Sequence, residues 1–159
     1  PWHRDWRDNV SGLKLANWNT HMLDDRYFNQ VNCPLYADSC TWVVPGSHLR
    51  HDLPREIERF PERPIATPSL EDKSDSEREY ACLRYVRSMP SAVQIHLEAG
   101  DFCLYRNTLW HLGNYVPYCI RATLHDAIDT EAFAAWRTKA LDEAVKQRKK
   151  GFGMENPNV

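Results

Sequence analysis

The sequence predicts a mostly β domain, a β-barrel or jelly roll followed by one C-terminal helix. Short stretches rich in β-branched and aromatic residues are separated by turn signals such as Pro45-Gly46-Ser47 and Ala99-Gly100-Asp101. One long amphipathic pattern appears only near the end of the chain. At 159 residues the chain is long enough for one domain with a substantial hydrophobic core.

The strands are predicted from alternation and β-branched runs. Residues 1–10 are short and Trp-rich and read as extended, and residues 11–26 read as a loop with a helical turn. Pro34 marks a bulge or an edge in the first clear strand. The predicted strands cover residues 27–36, 40–44, 92–98, 102–105 and 119–125, with residues 107–112 leading into His111.

Two segments depart from this β pattern. Residues 50–79 are charged and proline-rich, so we predict an insertion or lid, with short helices at 54–60 and 75–86. Residues 131–150 carry apolar side chains three and four positions apart, which predicts a helix. Asp129 or Thr130 would cap its start and Gly151 its end.

Composition excludes several classes of function. The formal net charge is -2, and the basic run at residues 146–150 lies at the end of the predicted helix, so we expect no nucleic-acid partner. Five cysteines without a C-x-x-C pair argue against a disulfide or zinc-ribbon framework and favour the cytoplasm. No apolar stretch approaches the ~20 residues of a membrane span.

The candidate chemistry lies in His3-Arg4-Asp5, His111 and Arg121, in that order along the chain. Two imidazoles and one carboxylate make the facial triad of non-haem iron sites, which leaves coordination positions open. Residues i and i+2 of a strand share a face, so His3 and Asp5 could reach one metal ion. Arg121 sits within a predicted strand, where a buried charge needs a partner.

Each of these residues also has an ordinary structural explanation. One H-x-D motif is close to what chance gives for this composition, and His3 with Asp5 could be a surface pair. His111 could be a core histidine, and Arg121 could pair with Asp126 or Asp129 instead of a bound carboxylate. His96-Leu97-Glu98 is a rival ligand pair. Four tryptophans could line a pocket or belong to the core, namely Trp2, Trp6, Trp42 and Trp110.

Four segments together resemble the phytanoyl-CoA dioxygenase family of Fe(II)/2-oxoglutarate-dependent oxygenases. The most specific are the V-V-P-G-S-H run ending at His48 and the A-G-D turn at 99–101. The match spans roughly residues 1–128, and Gly113 stands where the family often has a hydroxyl residue. The four segments are Trp2–Asp5, Cys40–His48, Ala99–Tyr105 and His111–His125.

The resemblance implies a double-stranded β-helix, a jelly-roll or cupin-like fold. It implies that His3, Asp5 and His111 bind Fe(II), and that Arg121, assisted by Thr123, binds the distal carboxylate of 2-oxoglutarate. The implied reaction consumes O2 and 2-oxoglutarate, releases succinate and CO2, and hydroxylates a small or medium organic substrate. Asp5 argues against halogenation, because related halogenases replace this carboxylate by a small residue.

We therefore expect one domain, with an oxygenase core at residues 1–128 that includes the 50–79 segment and lacks the family's usual N-terminal portion. Residues 129–159 would add the helix and tail. Two alternatives stay open. One is a catalytically silent or truncated jelly-roll binding module, and the other is a cupin-like metalloenzyme that does not use 2-oxoglutarate. Neither the substrate nor the oligomeric state follows from the sequence.

Overall fold

A computed structural model describes residues 1–61, 65–116 and 118–151. Within those ranges the chain forms two three-stranded antiparallel sheets and four α-helices. The strands are β1 (Asn29–Pro34), β2 (Thr41–Val43), β3 (Val93–Gln94), β4 (Cys103–Arg106), β5 (His111–Gly113) and β6 (Thr123–Ile128). The helices are α1 (Leu15–His21), α2 (Pro54–Arg59), α3 (Asp75–Arg87) and α4 (Glu131–Gly151).

The first sheet has the order β4-β1-β6, with β1 in the centre. Along β1 the side chains alternate, and Gln30, Asn32 and Pro34 are buried on one face. Gln30 lies opposite Tyr105 of β4, and Asn32 lies opposite His125 of β6. The buried face of this sheet is therefore polar at its centre, which is unusual for a face turned inward.

The second sheet has the order β3-β2-β5 and carries the apolar core. Trp42 of β2 pairs with Leu112 of β5, and both are buried. An isolated bridge between His3 and His111 adds the start of the chain to the free edge of β5. Within the described ranges, four of the five connections between consecutive strands thus cross from one sheet to the other, and only β2 and β3 follow each other within a sheet.

Two apolar clusters hold these layers together. One lies against the second sheet and includes Phe60 and Ile65 from the 50–79 segment and Val86 from α3. The other joins α4 to α1 and to the start of β1 through Phe133, Trp136 and other aromatic side chains. Burying such large side chains contributes roughly 1.5–3 kcal/mol each.

The terminal helix is confirmed, and its start is capped by Thr130. The Thr130 hydroxyl accepts a hydrogen bond from the backbone N–H of Phe133 at 3.0 Å. Gly151 is the last helical residue described, and residues 152–159 of the predicted tail lie outside the described part, as do residues 62–64 of the 50–79 segment.

The strand predictions need two corrections. Helical residues outnumber strand residues, about 33% against 19%, so the chain is not clearly mostly β. The last strand begins at Thr123 rather than at residue 119, because a turn hydrogen bond from the Cys119 N–H to the Val116 carbonyl (3.3 Å) holds the chain before it. Arg121 therefore lies just before β6 and not in the middle of a strand.

None of the helices in the described ranges is both long enough and apolar enough to cross a lipid bilayer.

Candidate metal centre

The start of the chain runs as a short extended segment beside β5. The His3 N–H donates to the His111 carbonyl and the His111 N–H donates back to the His3 carbonyl, both at 3.1 Å. The Asp5 N–H donates to the Asn107 carbonyl at 2.9 Å. Alternation along this segment turns His3 and Asp5 to one side and Trp2 and Arg4 to the other. Backbone pairing therefore brings both halves of the predicted triad together.

The three predicted ligands form one cluster. One ligand atom from each of His3, Asp5 and His111 lies within 4.8 Å of the other two. Asp5 Oδ1 is 3.4 Å from His3 Nε2 and 3.8 Å from His111 Nε2. No other group of three such side chains in the described ranges meets this geometry. The donor set, two imidazole nitrogens and one carboxylate, suits a divalent transition metal.

Hydrogen bonds at Nδ1 fix the orientation of both imidazoles, so that each turns its Nε2 toward Asp5. His3 Nδ1 lies 2.8 Å from the carbonyl of Pro1, and His111 Nδ1 lies 2.9 Å from the carbonyl of Leu109. A carbonyl oxygen only accepts, so each Nδ1 carries the proton and each Nε2 offers a lone pair. This backbone support is typical of metal-ligating histidines, because it sets the tautomer and the ring orientation.

The charge states of His111 and Asp5 also suit a cation. Burial alone would lower the pKa of His3, but Asp5 and the Pro1 carbonyl outweigh it and raise that pKa, so a metal ion competes with a proton there. Burial, reinforced by the nearby His3, lowers the pKa of His111 to about 4, so this imidazole is neutral at pH 7. Burial alone would raise the pKa of Asp5, but the interactions of its carboxylate with the His3 and His111 imidazoles outweigh it and lower that pKa. Asp5 is thus an anion, and its Oδ1 accepts a further hydrogen bond from Asn9 at 2.8 Å.

Arg4, between the two ligands, anchors the segment and was assigned no role from the sequence. Its side chain is fully buried, and Nη1 donates to the carbonyls of Ser47 (2.8 Å) and Thr108 (2.7 Å). Arg4 Nε lies 2.9 Å from Asp52 Oδ1. The Ser47 hydroxyl accepts from the Trp110 N–H at 2.8 Å. The V-V-P-G-S-H run therefore supports both strands that carry the ligands. The sequence signal that indicates this role is alternation: because His3 and Asp5 share one face of an extended segment, Arg4 turns inward.

The cluster faces a cavity of about 190 Å³ between the two sheets. All five predicted site residues line it, and the polar face of the first sheet forms the opposite wall. None of the six tryptophans lines it, and Trp2, Trp42 and Trp110 belong to the core instead. The lining residues are His3, Asp5, Gln30, Asn32, Thr41, Tyr105, His111, Leu112, Gly113, Tyr115, Arg121, Thr123 and His125.

Arg121 has an acidic partner that the sequence reasoning missed. Its Nε donates to Asp38 Oδ2 at 2.9 Å, whereas Asp129 pairs with Arg137. Asp38 is buried and lies just after β1, so separation along the chain hid this pair. The guanidinium has five N–H donors, and an Nε contact leaves the outer nitrogens for a second acid. Arg121 is 27% exposed and opens onto the cavity.

Gly113 is explained by the ring of Tyr115. A Cβ added at Gly113 would lie 2.5 Å from the Cζ and hydroxyl of Tyr115. The same ring lies under the Arg121 guanidinium, with its centroid 4.9 Å from Cζ. The absence of a side chain at position 113 therefore lets an aromatic ring cover the arginine, in the place where a hydroxyl residue would otherwise stand.

We expect Gly113→Ser to displace the Tyr115 ring without unfolding the protein, because this ring is 65% exposed and can rotate away. The loss of the contact with Arg121 should cost about 0.5–1 kcal/mol. Denaturant unfolding of a double-mutant cycle measures it: Gly113→Ser should cost nothing further in a Tyr115→Ala background. Additive costs in the cycle would contradict the contact.

Comparisons with known proteins leave the family open: the chain matches no family model, no curated protein and no solved structure.

Proposed function

We propose that this protein is a non-haem Fe(II)/2-oxoglutarate-dependent dioxygenase that hydroxylates a small or medium organic substrate and releases succinate and CO2. One observation carries the proposal. The His3, Asp5 and His111 cluster shares a single small cavity with Arg121 and Thr123. A metal-binding triad and an acid-binding arginine in one cavity are the two requirements of this chemistry.

Three of the residues would bind the metal ion, and two would bind the distal carboxylate. His3 Nε2, His111 Nε2 and an Asp5 oxygen would hold Fe(II), leaving the remaining positions for ligands from the cavity. Bound Fe(II) would supply the oxidising chemistry, with 2-oxoglutarate as the electron donor and O2 as the oxidant. Arg121 would fix the distal carboxylate through its outer guanidinium nitrogens, and the Thr123 hydroxyl would donate a further hydrogen bond.

The fold that we propose for this function is a double-stranded β-helix. Two three-stranded sheets, β4-β1-β6 and β3-β2-β5 with His3 beside β5, face each other, and most connections between consecutive strands cross from one sheet to the other, as in a jelly roll. Such a fold places the cavity between the sheets. The five cysteines form no disulfide, which accords with our proposal of a reducing, cytoplasmic location.

A second candidate is a metalloenzyme that does not use 2-oxoglutarate. The Asp38–Arg121 ion pair favours it, since an arginine that already has an acidic partner does not require a bound carboxylate. A silent binding module would retain the cavity but bind neither iron nor 2-oxoglutarate productively. The binding of 2-oxoglutarate to the loaded metal site distinguishes the first hypothesis from the other two, and the binding of Fe(II) distinguishes those two from each other.

The test is an anaerobic titration of the Fe(II)-loaded protein with 2-oxoglutarate, followed by the weak visible charge-transfer band. We expect a band in the parent, and in Arg121→Ala an affinity lower by about 10- to 100-fold. Hydrogen bonds to a charged group contribute about 1.5–3 kcal/mol, and 1.4 kcal/mol corresponds to tenfold.

Arg87→Ala is the matched control, because Arg87 is an exposed arginine of α3 that lies outside the metal cavity. It should titrate like the parent. Equal affinities in Arg121→Ala and the parent would mean that Arg121 does not bind the distal carboxylate. A folded parent that binds Fe(II) and shows no band at any 2-oxoglutarate concentration would contradict the proposed function and favour the metalloenzyme without 2-oxoglutarate.

A further inference from the structure

The wall opposite the metal cluster carries buried polar atoms that have no partner. Gln30 and Asn32 are each 5% exposed, and both line the cavity. Gln30 Oε1 and Asn32 Oδ1 are fully buried and accept no hydrogen bond from the described protein atoms. Leaving a buried carbonyl oxygen unpaired costs free energy, so such atoms usually have a ligand or water as partner.

The orientation of Gln30 follows from its neighbour on β6. Its Nε2 contacts Nε2 of His125, and an amide nitrogen only donates, so this imidazole nitrogen accepts. The amide oxygen of Gln30, a residue that lines the cavity, is thereby left without a donor. Asn32 stands two residues further along β1 on the same face, opposite His125. Two acceptors therefore stand side by side, about 7 Å apart along the strand.

The co-substrate cannot satisfy these two oxygens. At neutral pH 2-oxoglutarate has two carboxylates and one keto group, so it offers acceptors and no donor. Donors that suit it stand elsewhere in the cavity, on Arg121 and Thr123. The unpaired oxygens of Gln30 and Asn32 require a molecule with N–H or O–H groups.

We propose that Gln30 and Asn32 recognise hydrogen-bond donors on the substrate, and that the substrate is a small polar molecule with two N–H or O–H groups several ångströms apart. This inference rests on the proposed function for the identity of the reaction, but not for the binding. A long apolar chain is a poor fit, since it would bury both oxygens without partners in a cavity of about 190 Å³.

The wall would also orient the substrate. Tyr105 lies beside Gln30 across the sheet, and its ring packs edge-on against His111 with the centroids 5.8 Å apart. A molecule held by the oxygens of Gln30 and Asn32 therefore sits next to a metal ligand. Its donor groups point to the first sheet, and its C–H bonds are left toward the metal cluster.

The test compares two neutral probes, butanediamide and its N,N,N′,N′-tetramethyl derivative, which has no N–H donor and four additional methyl groups. The variants below separate the loss of donors from this difference in size, because a purely steric preference would persist in them. Both are titrated calorimetrically into the Fe(II)- and 2-oxoglutarate-loaded protein without oxygen. We expect the parent to bind butanediamide at least about tenfold more tightly, because the methylated probe leaves both oxygens unpaired. Asn32→Leu and Gln30→Met should each remove most of this preference.

Asn29→Leu is the matched control, since Asn29 lies on the same strand but not among the cavity residues. It should keep the preference of the parent. The affinity for 2-oxoglutarate, read from the visible band, should stay within about twofold in Asn32→Leu. If Asn32→Leu does not fold, Gln30→Met provides the same comparison.

Equal affinity of the parent for the two probes would overturn the inference. So would an Asn32→Leu or Gln30→Met protein that loses 2-oxoglutarate affinity and keeps the donor preference, because the wall would then serve the co-substrate. Failure of the proposed function looks different: the parent shows no band with 2-oxoglutarate. Donor preference is then still measured on the protein with Fe(II) alone.

Discussion

Replacing Asp5 by asparagine should abolish tight Fe(II) binding and leave the fold intact. Asparagine has the shape of aspartate and its oxygen can still accept the hydrogen bond from Asn9, but it carries no charge to balance the cation. Changes in residues that merely support ligands cost 10- to 100-fold in metal affinity, so loss of the carboxylate ligand should cost at least about 100-fold. An anaerobic Fe(II) titration, with circular dichroism to check folding, measures this.

Glu98→Gln provides the matched control. It makes the same carboxylate-to-amide change in the rival His96-x-Glu98 pair, which is exposed and outside the cluster. We expect Glu98→Gln to bind Fe(II) like the parent. If Glu98→Gln lost the metal and Asp5→Asn kept it, the site would lie on the second sheet near β3, and the assignment of His3, Asp5 and His111 would be wrong.

The largest effect on stability is expected for Arg4→Met. Arg4 is fully buried and charged, and burial lowers the pKa of its guanidinium to about 10 against the opposing attraction of Asp52, so it remains a cation at pH 7. Removing one partner of a buried ion pair costs about 3–5 kcal/mol. Asp52 keeps a contact with Arg7 at 2.7 Å, so we expect the lower end of this range.

A loss of about 3 kcal/mol should lower Tm by roughly 6–12 °C for a domain of this size. Arg26→Met is the comparison, because it breaks an Arg–Asp pair of similar length that is exposed to solvent (Arg26 Nη2 to Asp24 Oδ2, 2.6 Å). That variant should melt close to the parent. Equal Tm values for Arg4→Met and the parent would mean that Arg4 does not anchor the ligand segment.

The site could be predicted further from the sequence than the fold could. His3, Asp5, His111, Arg121 and Thr123 line one cavity. Alternation predicts that His3 and Asp5 share a face, whereas the order of the motifs in the family that the chain resembles implies the roles of Arg121 and Thr123. The cluster itself depends on the backbone bridge between His3 and His111, which no local pattern encodes. Whether iron binds there stays a prediction.

Long-range polar partners were the main failure of sequence reasoning. Asp38 and Arg121 are far apart in the chain, and nothing in either local sequence indicates that they pair. The same holds for Arg4 with Asp52, and for Glu56, whose Oε2 accepts from the indole N–H of Trp110 at 3.2 Å. Charges within apolar surroundings were visible in the sequence, but their partners are decided by tertiary structure.

Strand content was overestimated for a physical reason. A run such as residues 92–98 alternates well, yet only Val93 and Gln94 pair with β2, and one further bridge joins Leu97 to Asp38. Alternation reports which side chains turn inward, whereas a strand also needs a neighbouring backbone along its whole length.

The bridge between His3 and His111 has a consequence for how the chain is held together. His3 and His111 lie far apart in the sequence. Only two hydrogen bonds join the backbones of these two residues directly. An ion shared by both side chains would act as a cross-link that closes nearly the whole core into one loop. Metal binding and folding would then be coupled. The free energy of unfolding would rise by about 2.7 kcal/mol at a free metal concentration 100 times Kd.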